Sequence, residues 1–139
     1  MTSDGARSQE LDRTGSGPTG HLVILARLKL KEGCKNEYLR LLQPVLHGVA
    51  QEPRCVTVIV HDNPKDPREV VLYEIWNCSV DEFHRVELLK PYRAEYMAQR
   101  PSLLDEKTVE WLEPVSEWVS DLTTDHTPPI AKSPSPNTT

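Results

Sequence analysis

Glu74 is the residue most out of keeping with its neighbours. It stands inside Val70-Val71-Leu72-Tyr73-Glu74-Ile75-Trp76, an otherwise apolar, β-rich run. A carboxyl carried into an apolar face has its pKa raised, which suits it to hold or donate a proton near neutral pH. Pairing with Arg27 or Arg93 is the structural alternative for the same residue. Side chains alternate along a strand, so Glu74 shares a face with Leu72 and Trp76. Trp76 there is either a flat wall for an aromatic ligand or simple packing. Tyr92 and Tyr96 lie four apart, the spacing of one helix face, with hydroxyls able to bond a phenol or carbonyl and rings able simply to fill a core. His84 carries the ring type that titrates near neutral pH, although on its own it reads as a histidine at a helix surface or one bonded to a backbone carbonyl.

Other chemistries are not expected. The histidines at 21, 47, 61, 84 and 126 show no i, i+4 pairing beside a carboxylate, so no metal site is expected. No Gly-rich loop follows a strand, so nucleotide and flavin binding by the common fingerprint is not expected either. The three cysteines, Cys34, Cys55 and Cys78, are widely spaced and odd in number, which fits neither a disulfide framework nor a zinc-ligand pair and makes a reducing, cytoplasmic setting the default.

The 139 residues carry 16 Lys and Arg against 21 Asp and Glu, a formal charge of −5. Nucleic-acid binding is therefore not expected, because that affinity rests on clustered Lys and Arg displacing counterions. The longest uncharged apolar run, Leu22 to Ala26, is far short of the roughly 20 residues that cross a membrane as a helix. Residues 1–20 and 119–139 are polar and rich in Ser, Thr, Gly and Pro, and too little apolar surface there offsets chain entropy, so both ends read as disordered tails. The folded unit is residues 21–118.

Within it, Leu22 to Leu30 reads as a strand. Tyr38, Leu41, Leu42, Val45, Leu46 and Val49 recur at helical spacing from Cys34 to Ala50, with Pro44 expected to kink that helix. Cys55–His61 and Val70–Trp76 read as strands joined by the turn residues 62–67 into an antiparallel hairpin. Ser79 and Glu82 form a capping box for a helix carrying Phe83 and His84, Pro91 opens a further helical stretch, and residues 108–113 read as a last strand stopped by Pro114. The order is strand, helix, strand, strand, helix, strand, an α+β, ferredoxin-like split βαβ plan with helices on one face of an antiparallel sheet. Val23, Leu25, Val71, Tyr73 and Ile75 make the opposite face apolar as well. A second copy is the simplest cover, giving a dimeric α+β barrel in which the strand around Trp111 is free to cross to its neighbour.

These residues resemble the antibiotic biosynthesis monooxygenase (ABM) domain family over roughly Leu22 to Val115. The carriers are Glu52-Pro53-Arg54-Cys55, Asp66-Pro67, Tyr73-Glu74-Ile75-Trp76, His84 and Lys90-Pro91-Tyr92. The chain departs from the family pattern at Arg54, where Gly is usual, and at Tyr92, where His is frequent. Ala26 before Arg27 replaces the Asn of a haem-degrading branch, so haem degradation is not expected.

The resemblance implies a homodimer with a pocket between sheet and helices. It puts Glu74, Trp76, Leu72, Ile24 and Ala26 on the pocket wall, His84 over it as the base, and Tyr92 and Tyr96 beside it as hydrogen-bonding groups. The implied activity is a cofactor-independent monooxygenation of an electron-rich phenol, quinol or anthrone by dioxygen, in secondary metabolism. The same equipment serves a cofactor-free isomerase, decarboxylase or cyclase, and a non-catalytic ligand-binding barrel is the third reading.

Overall fold

A computed structural model describes residues 17–120 and 122; the residues of both expected tails that fall outside that range, 1–16, 121 and 123–139, lie outside the described part. Four strands form one antiparallel sheet: β1 (Leu22–Leu30), β2 (Cys55–Asn63), β3 (Asp66–Trp76) and β4 (Leu104–Leu112), in the order β2-β3-β1-β4. Helices α1 (Lys35–Val49), α2 (Val80–Arg85) and α3 (Ala94–Gln99) connect them, with short 3₁₀ turns at Glu87–Leu89, Pro91–Arg93 and Arg100–Leu103. This is the ferredoxin-like plan expected from the alternation of elements.

The register fixes which residues face the helices. Leu22 pairs with Trp76, Ile24 with Glu74, Ala26 with Leu72 and Leu28 with Val70. On the other side of β1, Ile24 pairs with Trp111, Ala26 with Val109 and Leu28 with Lys107. Because a strand alternates, these side chains share one face. The buried stripe of α1, made by Tyr38, Leu41, Leu42, Val45 and Val49, closes onto that face.

Local chemistry sets the element ends. Ser79 accepts from the Glu82 amide at 3.0 Å while the Glu82 carboxylate accepts from the Ser79 amide at 3.3 Å, the capping box that starts α2. Helix α1 continues through Pro44. The hairpin is tighter than residues 62–67 suggested, since Asn63 pairs with Asp66 and only Pro64 and Lys65 remain between the strands. Asn63 Oδ1 caps the Lys65 amide at 2.9 Å and Asp66 Oδ1 the Arg68 amide at 3.0 Å, so both side chains serve the turn from within the ladder. β4 begins at Leu104, earlier than expected, and pairs with β1 of its own chain.

The outer sheet face also differs from the simple picture. Val23, Val71 and Ile75 are buried within the single chain, and Leu25 and Tyr73 are half-buried. Exposed apolar side chains stand at Ile59 and Leu112 on the edge strands, at Val115, Trp118 and Val119 after β4, and also at Val60 on β2 and at Val86, Leu89 and Met97 on the helical side. Glu117 on that last segment meets His21 Nδ1 at 2.7 Å, tying it to the start of β1.

Gly48 supplies a test of how closely α1 meets the Pro91–Arg93 turn. A Cβ at this position would lie 2.4 Å from Cγ of Tyr92. Replacing a helical Gly by Ala ordinarily stabilises by about 1 kcal/mol, but here the sign should reverse. We expect Gly48→Ala to lose about 1–3 kcal/mol in urea unfolding through overpacking, and to become stabilising in a Tyr92→Ala background. A gain in the wild-type background would contradict the packing.

Candidate functional site

A cavity of about 200 Å³ lies between the sheet and the helices. Ile24, Ala26, Leu72 and Glu74 form its floor from β1 and β3, and Val109, Trp111 and Lys107 its β4 side. Leu42, Val45 and Val49 of α1 roof it, and Phe83, His84, Arg93, Tyr96 and Arg100 close the remaining side.

Glu74 is the carboxylate of this lining, and its position is fixed. The Trp76 indole N–H donates to Glu74 Oε1 at 2.8 Å. Burial pushes the carboxyl above its ordinary range, opposed by the Trp76 hydrogen bond and the nearby Arg93 charge. Trp76 is itself fully buried, edge-on to Phe83 with ring centroids 5.2 Å apart. It therefore holds the carboxyl and does not face the cavity as the expected aromatic wall. Phe83 and Trp111, 5.7 Å apart, take that place.

His84 stacks on Trp111 at 4.7 Å, exposed at the edge of the cavity. Its Nδ1 lies 2.9 Å from the Val80 carbonyl oxygen. A carbonyl only accepts, so Nδ1 carries the hydrogen and Nε2 keeps a lone pair able to take a proton. The bland and the functional readings of this histidine thus coincide, because the backbone bond sets the tautomer that leaves Nε2 free.

The two tyrosines separate. Tyr96, in α3, lines the cavity, and its hydroxyl meets the Tyr38 hydroxyl at 2.7 Å. Burial, then the Tyr96 hydroxyl, pushes Tyr38 up, so the Tyr38 hydroxyl stays protonated. Tyr92 sits in the Pro91–Arg93 3₁₀ turn and not on α3, so the four-residue spacing does not stack it above Tyr96. Its hydroxyl donates to Glu52 at 2.8 Å and its ring packs on Gly48, outside the cavity lining.

Three cations were not singled out from the sequence as ligand contacts. Arg93 is buried, its guanidinium 5.4 Å over the Phe83 ring and 5.8 Å over the Tyr92 ring. Its Nε and Nη2 have no hydrogen-bond partner among the described residues. Arg100 lies 5.2 Å over Tyr96, and its buried Nε likewise has no partner there. Lys107 is pushed below its ordinary range, chiefly by the Arg100 charge. Alternation along β4 from Trp111 through Val109 places Lys107 on the cavity face, a signal present in the sequence; nothing in the residue order signals where the two arginines end up, since they flank a one-and-a-half-turn helix between 3₁₀ turns.

Among the described residues no cluster of three or more His, Cys, Asp or Glu is placed to hold a metal ion. Cys55 and Cys78 are buried, and burial pushes the Cys78 thiol up to about 12, which makes it a packing residue. No described helix is long and apolar enough to cross a membrane.

Known proteins resemble this chain in sequence and share its fold. Residues 21–85 match the family described as antibiotic biosynthesis monooxygenase. A protein of Pestalotiopsis microspora named as a monooxygenase is 29% identical over 104 residues, 73% of this chain and 87% of that protein. A protein of Synechocystis is 24% identical over 98 residues, 70% of this chain but 65% of its own length, just under two thirds. Among solved structures, one from Mycobacterium tuberculosis aligns with TM-score 0.63 at 20% identity, covering 70% of this chain and 98% of that one. One from Nitrosomonas europaea, titled as an antibiotic biosynthesis monooxygenase, aligns with TM-score 0.64 at 11% identity, covering 72% and 95%. At these identities the structural likeness speaks for the fold.

Glu74 allows a test through stability. Its folded pKa is raised, so the folded state binds the proton more tightly than the unfolded state. Stability is therefore lost as pH rises from the ordinary carboxylate range through the raised value, and the penalty is complete above it. Gln accepts the same Trp76 hydrogen bond without a charge. We expect Glu74→Gln to raise Tm at pH 7–8 and to lose that gain at about pH 4, below the ordinary carboxylate value. A gain equal at both pH values would contradict the burial of this group.

Proposed function

We propose that the chain is a cofactor-independent monooxygenase acting on a small electron-rich aromatic of the phenol, quinol or anthrone type, in secondary metabolism. The observation that carries this reading is one cavity, walled by Phe83 and Trp111, that brings a desolvated carboxyl, Glu74, together with His84. The match to the monooxygenase family supports it.

The chemistry follows from the groups present. His84 Nε2 takes the phenolic or benzylic proton, and the resulting carbanion or phenolate is rich enough to give an electron to dioxygen. For an anthrone the balance is a CH₂ plus O₂ giving a C=O plus water, with the substrate supplying all four electrons. Tyr96 lies where its hydroxyl can donate to a substrate oxygen, and Glu74 returns a proton to the reduced oxygen. Trp76 acts as a positioning residue through its hydrogen bond to Glu74. Tyr92, bonded to Glu52, supports the turn that carries Arg93.

A carboxyl with a raised pKa beside a histidine also favours proton transfer without oxygen, the equipment of an isomerase, decarboxylase or cyclase. We further propose a homodimer, with Ile59 and Leu112 and the Val115, Trp118 and Val119 segment covered by a second copy.

Oxygen uptake by purified protein with anthrones, naphthols and quinols separates these readings. We expect uptake above background, reduced about 10²–10⁴-fold in His84→Ala, the usual worth of a general base, with ligand affinity nearly kept. Product formed equally under nitrogen would support the isomerase class instead. Binding without turnover, indifferent to His84→Ala, would leave a ligand-binding barrel. Sedimentation tests the dimer, and a monomer at micromolar concentration would contradict it.

A further inference from the structure

The electrostatics of the cavity do not close on themselves. Its lining holds three cations, Arg93, Arg100 and Lys107, against the single carboxylate of Glu74. Glu74 spends a lone pair on Trp76, and burial draws it toward its neutral form. Among the described residues none of the three cations is in an ion pair with a carboxylate, while Arg27, Lys29, Lys35, Arg40, Arg54, Arg68, Arg85 and Lys90 all are. Lys31 and Lys65 are in none either, but both are exposed and outside the cavity lining.

Desolvating a cation without a partner is costly, and so is holding two together. Arg93 is buried with two guanidinium nitrogens unmatched, because its faces are occupied by Phe83 and Tyr92 and only its N–H edge remains. Arg100 and Lys107 sit close enough for one charge to depress the other. Lys107 stands opposite Leu28 on β1 and Trp111 opposite Ile24, four residues apart on one strand face, which is about 13 Å. The cations therefore occupy two stations. Arg93 lies by Phe83 and Glu74, and Arg100 with Lys107 lies at the far end beside Tyr96.

We infer that the cavity takes an aromatic carboxylic acid, its carboxylate held by Arg100 and Lys107 and its ring running toward Phe83, with Arg93 facing the oxygen that becomes negative when the ring is deprotonated. This deepens the proposed function and rests on it for the identity of the reacting end. Planar guanidinium groups suit a carboxylate, which accepts two parallel N–H bonds, and Lys107 adds a point charge. A phenolate oxygen at Arg93 would satisfy the unmatched nitrogens that the folded chain leaves there.

The test is equilibrium binding to the full chain, read by tryptophan fluorescence and calorimetry, with 6-hydroxy-2-naphthoate, whose carboxylate and hydroxyl stand at opposite ends of the ring system, its neutral carboxamide and 2-naphthol. We expect the acid to bind at least tenfold tighter than either neutral probe and to weaken with added salt, while the neutral probes do not. Arg100→Met and Lys107→Gln should each weaken the acid severalfold and leave the carboxamide unchanged. Lys107 is exposed, so its variant is the one least able to act through misfolding. Equal affinity for acid and neutral probes, losses shared by both, or no binding of the acid at millimolar concentration would each overturn the inference. Oxygen uptake is scored separately. Uptake from neutral naphthol without acid preference keeps the oxygenase reading and sinks this one, and acid preference without uptake does the reverse.

Discussion

The hydrogen bond from the Trp76 indole to Glu74 is the interaction on which the site depends. It lies on β3, an interior strand flanked by β1 and β2, where an unpartnered carboxyl would cost several kcal/mol and be replaced by an aliphatic residue over a packed core. Trp76 removes part of that cost, and in doing so it gives up its own access to the cavity. The space that remains is bounded by Phe83, Trp111, Leu72 and Leu42, Val45 and Val49 of the α1 stripe.

Around this acid the fold distributes roles by register. The pairing of Ile24 with both Glu74 and Trp111 sets the acid and the aromatic wall on one rung of the sheet. The capping box at Ser79 then fixes where α2 starts, and so where Phe83 and His84 project. With Nδ1 committed to the Val80 carbonyl, the histidine presents Nε2 by construction. The 3₁₀ turn at Pro91–Arg93 places Arg93 over Phe83, where stacking holds a cation whose Nε and Nη2 have no hydrogen-bond partner among the described residues. Each of these steps is local, and together they bring an imidazole, a buried carboxyl and cations in no ion pair among the described residues to one small volume.

Much of this was legible in the residues. The alternation of β3 grouped Leu72, Glu74 and Trp76 on one face, the family resemblance turned that face toward the helices with Ile24 and Ala26 beside it, and Ser79 with Glu82 identified the start of α2. What the pattern could not carry was depth and pitch. Trp76 and Trp111 share a sheet face, and only the packing of Phe83 decides which ring is sealed in the core and which lines the cavity. Tyr92 and Tyr96 have α-helical spacing, but Pro91 imposes a 3₁₀ turn that rotates one away from the other. The residues at 62–67 look like a loop by type, yet Asn63 and Asp66 satisfy backbone groups while still in the ladder, so the strands run on. The arginines escaped notice because their significance lies in what they do not contact.

The central claim is that Glu74 is a desolvated acid facing the cavity. A pH titration of ¹³C-labelled glutamate side chains by NMR, with Glu74 assigned through Glu74→Gln, measures this directly. The account predicts a midpoint clearly above the ordinary value of 4.5, moving again when an aromatic ligand fills the cavity. A midpoint at or below the ordinary value, indifferent to ligand, would show a solvated carboxylate and contradict the site as described.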